Sequence, residues 1–478
     1  MKFYNLIFFI FTIVIGFSQN QGNIWYFGDH AGLDFNSGVP VVINNGATYI
    51  PASSNYSEGT STISDHQGNL LFYTNGEKLW NKQHQVMPNG DFLSGNFSST
   101  QSSIIIPLPN SNRFFYVFTT DDIIENTNDL GFRYSVIDNC LDNGFGDIIT
   151  TQKNVLLSYQ MAEKVAAVKH SNGIDYWIIT HKLNTNEFYS YLLTENGITD
   201  SIISAIGETQ INSQGQLKIS PNGSKLAVAH NKHWLSPFYF ELFDFNSSTG
   251  IVSNAIALST PTNTAIYGVE FSPDNSKLYG VYSGTSPFGM GIVQYDLSTP
   301  TSSFINNSMI SVYQASGITF RGLQLAPNGK IYMPSVPTSN YLLEISSPNL
   351  QGGSCGVINN SIDLGTNSAS YCLPSFIAGY NYSNNNVDCQ ASLEEIKINN
   401  LEIFPNPVSQ NTVEIKFKSK LEDCTIYIYN SLGENILITP LINDSITIDC
   451  SHFYNGLHFV EVHTDSEIIS REKLIILK

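Results

Sequence analysis

Three segments repeat one another: Leu217-Lys-Ile-Ser-Pro-Asn-Gly-Ser-Lys-Leu-Ala-Val, Val269-Glu-Phe-Ser-Pro-Asp-Asn-Ser-Lys-Leu-Tyr-Gly-Val and Leu323-Gln-Leu-Ala-Pro-Asn-Gly-Lys-Ile-Tyr-Met. Each reads as a short alternating strand, a tight turn and a second alternating strand. Pro presets φ in the turn, Asn or Asp tolerates the bridge or left-handed region, and Gly accepts positive φ. The slot of Pro221, Pro273 and Pro327 recurs after 52 and 54 residues, and weaker copies place His66, Pro109 and Ser171 in it at intervals of 43, 62 and 50. Periods of about 40–50 residues with several strands each are the mark of propeller blades. No long window carries a helical period of about 3.6.

Two strand-like ends remain, Ile24-Trp-Tyr-Phe-Gly-Asp-His-Ala-Gly-Leu-Asp-Phe and Tyr371-Cys-Leu-Pro-Ser-Phe-Ile-Ala-Gly-Tyr. Placing both in one sheet completes a seventh blade and removes the exposed edges of an open array. Residues 22–385 then divide into seven units of 52 residues. A row of β-sandwiches with similar turns is the competing architecture. Composition agrees with a folded β chain: 42% hydrophobic and 12% aromatic residues against 13% charged ones exclude disorder and coiled coil. With 40 acidic against 22 basic residues and no basic cluster, nucleic acid is not an expected partner. Trp25-Tyr-Phe-Gly, Leu70-Leu-Phe-Tyr-Thr-Asn-Gly, Met87-Pro-Asn-Gly and Arg321-Gly-Leu-Gln-Leu-Ala-Pro-Asn-Gly-Lys-Ile-Tyr resemble the N-terminal propeller-like region of large secreted Bacteroidota proteins. That resemblance implies a fold rather than an activity.

The N-terminus reads as a secretory signal peptide over residues 1–18. Lys2 precedes an apolar run, Leu6–Phe17, and the small residues Gly16 and Ser18 fit cleavage after Ser18. As a helix the run spans about 18 Å, short of the roughly 30 Å hydrocarbon core, and no later segment is long and apolar enough to cross. Export permits disulfides among the six cysteines. Loop length suggests the pairs Cys355/Cys372 and Cys424/Cys450.

Residues 386–400 turn polar, as a linker does. Residues 401–478 then carry short alternating runs at Thr412–Lys418, Cys424–Tyr429, Ser445–Ile448, Gly456–His463 and Glu472–Leu477, the pattern of a small β-sandwich. Phe404-Pro405-Asn406-Pro407, Ile426-Tyr-Ile-Tyr-Asn-Ser-Leu-Gly433, Asn455-Gly456-Leu457-His458-Phe459-Val460 and Arg471-Glu-Lys473-Leu-Ile-Ile stand in order. Together they resemble the type A C-terminal sorting domain of the type IX (Por) secretion system. The resemblance implies export through the inner and outer membranes, with the type IX machinery as partner. It also makes Pro405, Asn406, Pro407, Gly433, Asn455, Gly456 and Lys473 the sorting signal.

Catalytic motifs are scarce. Neither a nucleophile elbow, a zincin helix, a P-loop nor a dinucleotide fingerprint occurs. His230 and His233 sit where a strand enters a loop, so a solvated loop pair is expected rather than a metal site. Asp121, Asp122, Glu125 and Asp129 crowd one loop of oxygen donors, and calcium is the one cofactor such a loop suits, without the EF-hand order. Asp121, Asp122 and Asp129 are its candidate ligands. A sialidase-type glycosidase needs three arginines around a carboxylate and a Tyr with an acidic partner. Only Arg113, Arg133 and Arg321 precede the tail, and their placement argues against convergence. Trp234 and Phe288 are the candidates for a ligand-binding loop face, since aromatic rings stack on sugars.

The expectation is an all-β chain: a seven-bladed β-propeller over 22–385 followed by a small C-terminal β-sandwich. Its expected role is a secreted or cell-surface module binding a glycan or protein. An exported carbohydrate-active enzyme is the alternative.

Overall fold

The computed structural model describes residues 20–48, 57–123, 128–230, 239–261, 264–284, 289–316, 321–335, 339–382, 389, 401–417, 424–430, 433–441, 445–463 and 468–478. The signal-peptide segment and the 386–400 linker lie outside them apart from Cys389. The chain divides into two compact units, Met1–Cys389 and Gln390–Lys478.

Among the described residues the first unit forms seven small antiparallel sheets taken in sequence order. The first holds Ile24–Phe27, Ala31–Asp34 and Val41–Val42; the second holds Ser61–Ser64, Leu70–Thr74 and Leu79–Asn81. In the third, Ser103–Pro107 and Phe114–Thr119 lead to Phe132–Asp138, which also pairs with Asp147–Ile148 and Val155–Ser158. Four-stranded meanders make up the rest. They begin with the inner strands Met161–Lys169, Leu217–Ile219, Thr264–Phe271 and Gln324–Leu325.

All six repeat slots fall in the first hairpin of a sheet, from the second to the seventh. The turns share their bonds: Ser220, Ser272 and Ala326 each accept a backbone N–H from three residues on, at 2.8, 2.9 and 2.9 Å. Just after the turn, Lys277 and Lys330 pair with Asp296 and Glu344 on the next strand, at 3.2 and 2.6 Å. Neighbouring sheets are cemented by aromatic rings. Tyr26 stacks on Tyr73 at 4.7 Å, Phe72 meets Phe115 edge-on at 5.3 Å and Phe188 meets Phe243 at 4.9 Å. Inner strands touch in chain order, and Trp25 of the first sheet meets Tyr332 of the seventh at 6.4 Å.

Two expectations are corrected here. Residues 24–35 and 371–382 do not share a sheet. Residues 371–382 form no strand; Ser375 makes one isolated bridge to Ser61 of the second sheet, and Ser368, just before the segment, makes another to Asp29 in the turn of the first. Pro374 has no ladder N–H, and Ser370, Gly379 and Tyr380 take positive φ of 57°, 66° and 54°, so a regular ladder cannot form. Side chains make the join instead: Phe376 packs on Trp25 at 5.6 Å, and Tyr380 fills the space above Gly22, where a Cβ would lie 2.3 Å from its ring.

The disulfide is Cys140–Cys389, with Cα atoms 5.0 Å apart across 249 residues of sequence. Cys355, Cys372, Cys424 and Cys450 are buried thiols outside any disulfide, so neither expected pair forms. Short loop length was the wrong guide, because the fold brings the end of the first unit back to its third sheet.

The second unit is a sandwich of a three-stranded sheet, Leu401–Phe404, Thr412–Phe417 and Ser445–Asp449, and a four-stranded one. The latter orders Asn435–Leu441, Cys424–Asn430, Gly456–His463 and Ile468–Ile476. Val413, Ile415, Ile426, Ile428, Val460, Val462, Leu474 and Ile476 form its separate core. Among the described residues no helix is long and apolar enough to cross a membrane.

Candidate functional site

Inner strands present one free edge towards the middle of the first unit, and an unpaired edge must be satisfied. Glutamines do this. Gln101, just before the first strand of the third sheet, donates to the carbonyls of Val165 and Leu217 at 2.9 and 3.2 Å. Its Oε1 accepts the Leu217 N–H at 2.8 Å. Gln216 repeats the device two sheets on, donating to the Leu323 carbonyl at 3.2 Å and accepting the N–H groups of Leu323 and Val269 at 3.0 and 3.2 Å. Gly322 makes room for it, since a Cβ there would lie 2.7 Å from Gln216 Nε2. Beneath them Lys218 pairs with Glu270 at 3.1 Å and reaches Gln324 Oε1 at 2.5 Å, while Glu270 accepts the Leu325 N–H at 2.9 Å.

Towards the N-terminal ends of these strands lies an acidic cluster. Glu163 accepts the Thr100 N–H at 3.2 Å and the Ser213 hydroxyl, and Tyr267 donates its hydroxyl to Glu58. Burial first, then the charges of Asp122 and Glu58, push the Glu163 carboxyl well above its ordinary 4.5. Burial also raises Tyr267, helped by Cys372 and Glu58. Next to Glu163, burial brings Lys164 down to about 7, with its Nζ held by the carbonyls of Gln214 and Ala229 at 2.8 and 3.1 Å. Arg321 stacks over Tyr371 at 4.9 Å, and burial lowers its pKa. Carboxylates, a tyrosine and an arginine thus gather in one place. Glu58, Asp122, Glu163, Tyr267 and Arg321 are nevertheless each at most 5% exposed. Among the described residues the arrangement satisfies backbone groups, and these side chains are buried rather than set in an open cleft.

The sequence-derived candidates are scattered. Asp121 accepts the Leu130 N–H at 2.8 Å, and Asp129 accepts those of Gly131 and Gln160 at 2.9 and 2.7 Å, so both carboxylates fasten loop backbone. Asp122 faces the Glu163 cluster instead. Among the described residues no group of three or more His, Cys, Asp or Glu is disposed to hold a metal ion. His230 is not solvated: it is buried, with Nε2 2.7 Å from Glu241 Oε2 on the adjacent strand. His233, Trp234 and Phe288 lie outside the described residues. Arg113 pairs with Asp138 at 2.6 Å and Arg133 donates to the carbonyls of Leu130 and Asn154, so neither joins Arg321. The missed residues, Gln101 and Gln216, carry no motif; their only signal is a polar residue just before an inner strand.

In the second unit the expected sorting residues other than Gly433 lie on or beside the last strand. Pro405, Asn406 and Pro407 follow Leu401–Phe404, and both X-Pro bonds are cis. Gly433 turns the chain at φ 79° with its N–H on the Asn430 carbonyl at 3.0 Å. Asn455 and Gly456 open Gly456–His463, which pairs with the strand that holds Lys473.

Residues 402–477 match the family model described as the secretion system C-terminal sorting domain. A domain of this family marks proteins exported by type IX secretion to the cell surface or beyond, and this chain is such an export substrate. No curated protein matches the chain. Among solved structures it is similar to PorZ, a surface component of the type IX secretion system of Porphyromonas gingivalis (13% identity, TM-score 0.35), covering 96% of this chain and 60% of that one. It is also similar to the extracellular domain of a hybrid two-component system from B. thetaiotaomicron (12% identity, TM-score 0.39), over 88% of this chain and 51% of that one. A third is the periplasmic gluconolactonase of Pseudomonas aeruginosa (8% identity, TM-score 0.34), with 78% of this chain and 96% of that one covered. The chain therefore spans about 60% and about half of the first two proteins.

Proposed function

We propose that residues 22–385 are a closed seven-bladed β-propeller that binds a protein or glycan at the outer cell surface or in the medium. In this reading residues 1–18 are a cleaved signal peptide and 386–400 a linker to the sorting domain. What supports it is the stitched middle of the first unit. Gln101 and Gln216 occupy the inner strand edges, and the polar groups around them are buried, so a ligand is left with the loop ends of the sheets. Trp234 and Phe288 remain the proposed contacts. A glycan array with the mature chain, run beside a glycosidase screen, tests this. Binding without turnover supports the module, and turnover abolished by Glu58→Gln overturns it.

One observation favours the enzyme reading: Glu58, Asp122 and Glu163 converge with Tyr267 near Arg321. Perturbed carboxylates of this kind cluster at catalytic sites. Catalysis there requires the cover over Tyr267 to open to a substrate.

A further inference from the structure

Two asparagines of the sorting domain direct their side chains to the C-terminal stretch Lys473–Lys478, Asn406 to the last strand and Asn455 to the residue two beyond its end. Asn406 Nδ2 donates to the Lys473 carbonyl at 2.6 Å, and its Oδ1 accepts the Ile475 N–H at 2.9 Å. Asn455 grips further along, donating to the Lys478 carbonyl at 3.0 Å and accepting the Lys478 N–H at 2.8 Å. Between them Val408 donates to the Ile475 carbonyl at 2.7 Å and accepts the Leu477 N–H at 2.9 Å. The other edge of Ile468–Ile476 is paired to Gly456–His463, so the groups held by Asn406 and Val408 belong to its outer edge. That edge would otherwise be an open template for any other strand. Pro405 and Pro407 can donate no backbone hydrogen bond to it, because neither has an N–H. The Asn406 amide between them supplies a donor to the Lys473 carbonyl and an acceptor for the Ile475 N–H.

We infer that Asn406 and Asn455 are positioning residues for export: they hold Lys473–Lys478 as a docked, capped edge, and the export machinery reads that docked segment. This rests on export through the sorting tail. The Pro-Asn-Pro turn acts through the last strand rather than as a contact in its own right.

The test uses the full chain in a bacterium with a type IX system, in four forms: wild type, Asn406→Ala/Asn455→Ala, Val413→Ala, and a chain lacking 390–478. Val413 is a core residue of the sandwich, so its truncation lowers stability without touching the clamps. Surface and medium fractions are measured together with amide hydrogen exchange over 473–478. The double variant is expected to exchange about tenfold faster at Ile475 and Lys478 and to lose export about tenfold. Val413→Ala, matched for loss of unfolding temperature, is expected to export normally. Faster exchange with normal export overturns the inference, as does unchanged exchange. Equal retention of Val413→Ala also overturns it, since stability alone would then explain the loss. Normal export of the chain lacking 390–478 removes the export reading itself, and the inference with it.

Discussion

Gln101 precedes the first strand of the third sheet and Leu217 opens the fifth, yet one side-chain amide of the first satisfies both the N–H and the C=O of the second. A backbone residue is paired here by a side chain as it would be by another strand. A sheet's first strand has one edge with no strand to pair with, and burial makes leaving it bare costly.

Gln101→Ala strips partners from two buried groups of Leu217 and from the Val165 carbonyl. At about 1–3 kcal/mol for each unsatisfied group, a loss of about 3 kcal/mol or more is expected. Denaturant unfolding of the mature chain reads it directly. Gln101→Glu keeps an acceptor for the Leu217 N–H but loses both donated bonds, so it is expected to be destabilised as well.

Cys140–Cys389 closes a loop of 249 residues, and long loops gain most from a crosslink in the chain-entropy account. Cys140→Ser with Cys389→Ser is expected to lower stability by about 2–4 kcal/mol, seen as a lower unfolding temperature that reductant no longer shifts. Alkylation of the denatured, unreduced chain should label the four thiols of Cys355, Cys372, Cys424 and Cys450.

Lys164 links stability to alkaline pH. Folded, it titrates near about 7; unfolded, at its ordinary 10.5. Between these values the unfolded chain holds a proton that the folded chain lacks, so stability rises with pH across that window. Below it both forms are charged, and the slope vanishes. Wild type minus Lys164→Met should therefore climb from pH 7 to pH 10.5, by at most about 1.4 kcal/mol per pH unit. Glu163 has the opposite sign. Its folded pKa lies above 4.5, so its contribution declines as pH rises past 4.5, and Glu163→Gln should remove that decline.

Binding and catalysis separate at Tyr267. Tyr267→Phe removes the hydroxyl bonded to Glu58 and keeps the ring. On the binding reading it leaves glycan or protein affinity unchanged, whereas Trp234→Ala weakens it by about tenfold or more. A titration of the surface ligand against both variants decides.

Much of this was legible in the residues. The Pro-Asn-Gly slots fell on first hairpins because proline and positive-φ glycine act within a few residues of chain. The alternating runs of the tail became its strands for the same local reason, although Asn435–Leu441 was overlooked. The acidic cluster was not legible. Glu58, Asp122, Glu163 and Tyr267 are spread over more than two hundred residues, and nothing in their spacing announces that they meet.

Sequence by itself determined the β architecture, the repeat and the sorting tail, since turn chemistry, side-chain alternation and a short signature are all local. Tertiary structure decided which cysteines bond, how the first and last segments of the first unit meet, and where the carboxylates and the glutamine and asparagine amides go. Those depend on which distant edges are left unpaired after the sheets have packed, and burial then forces each polar group to find its partner.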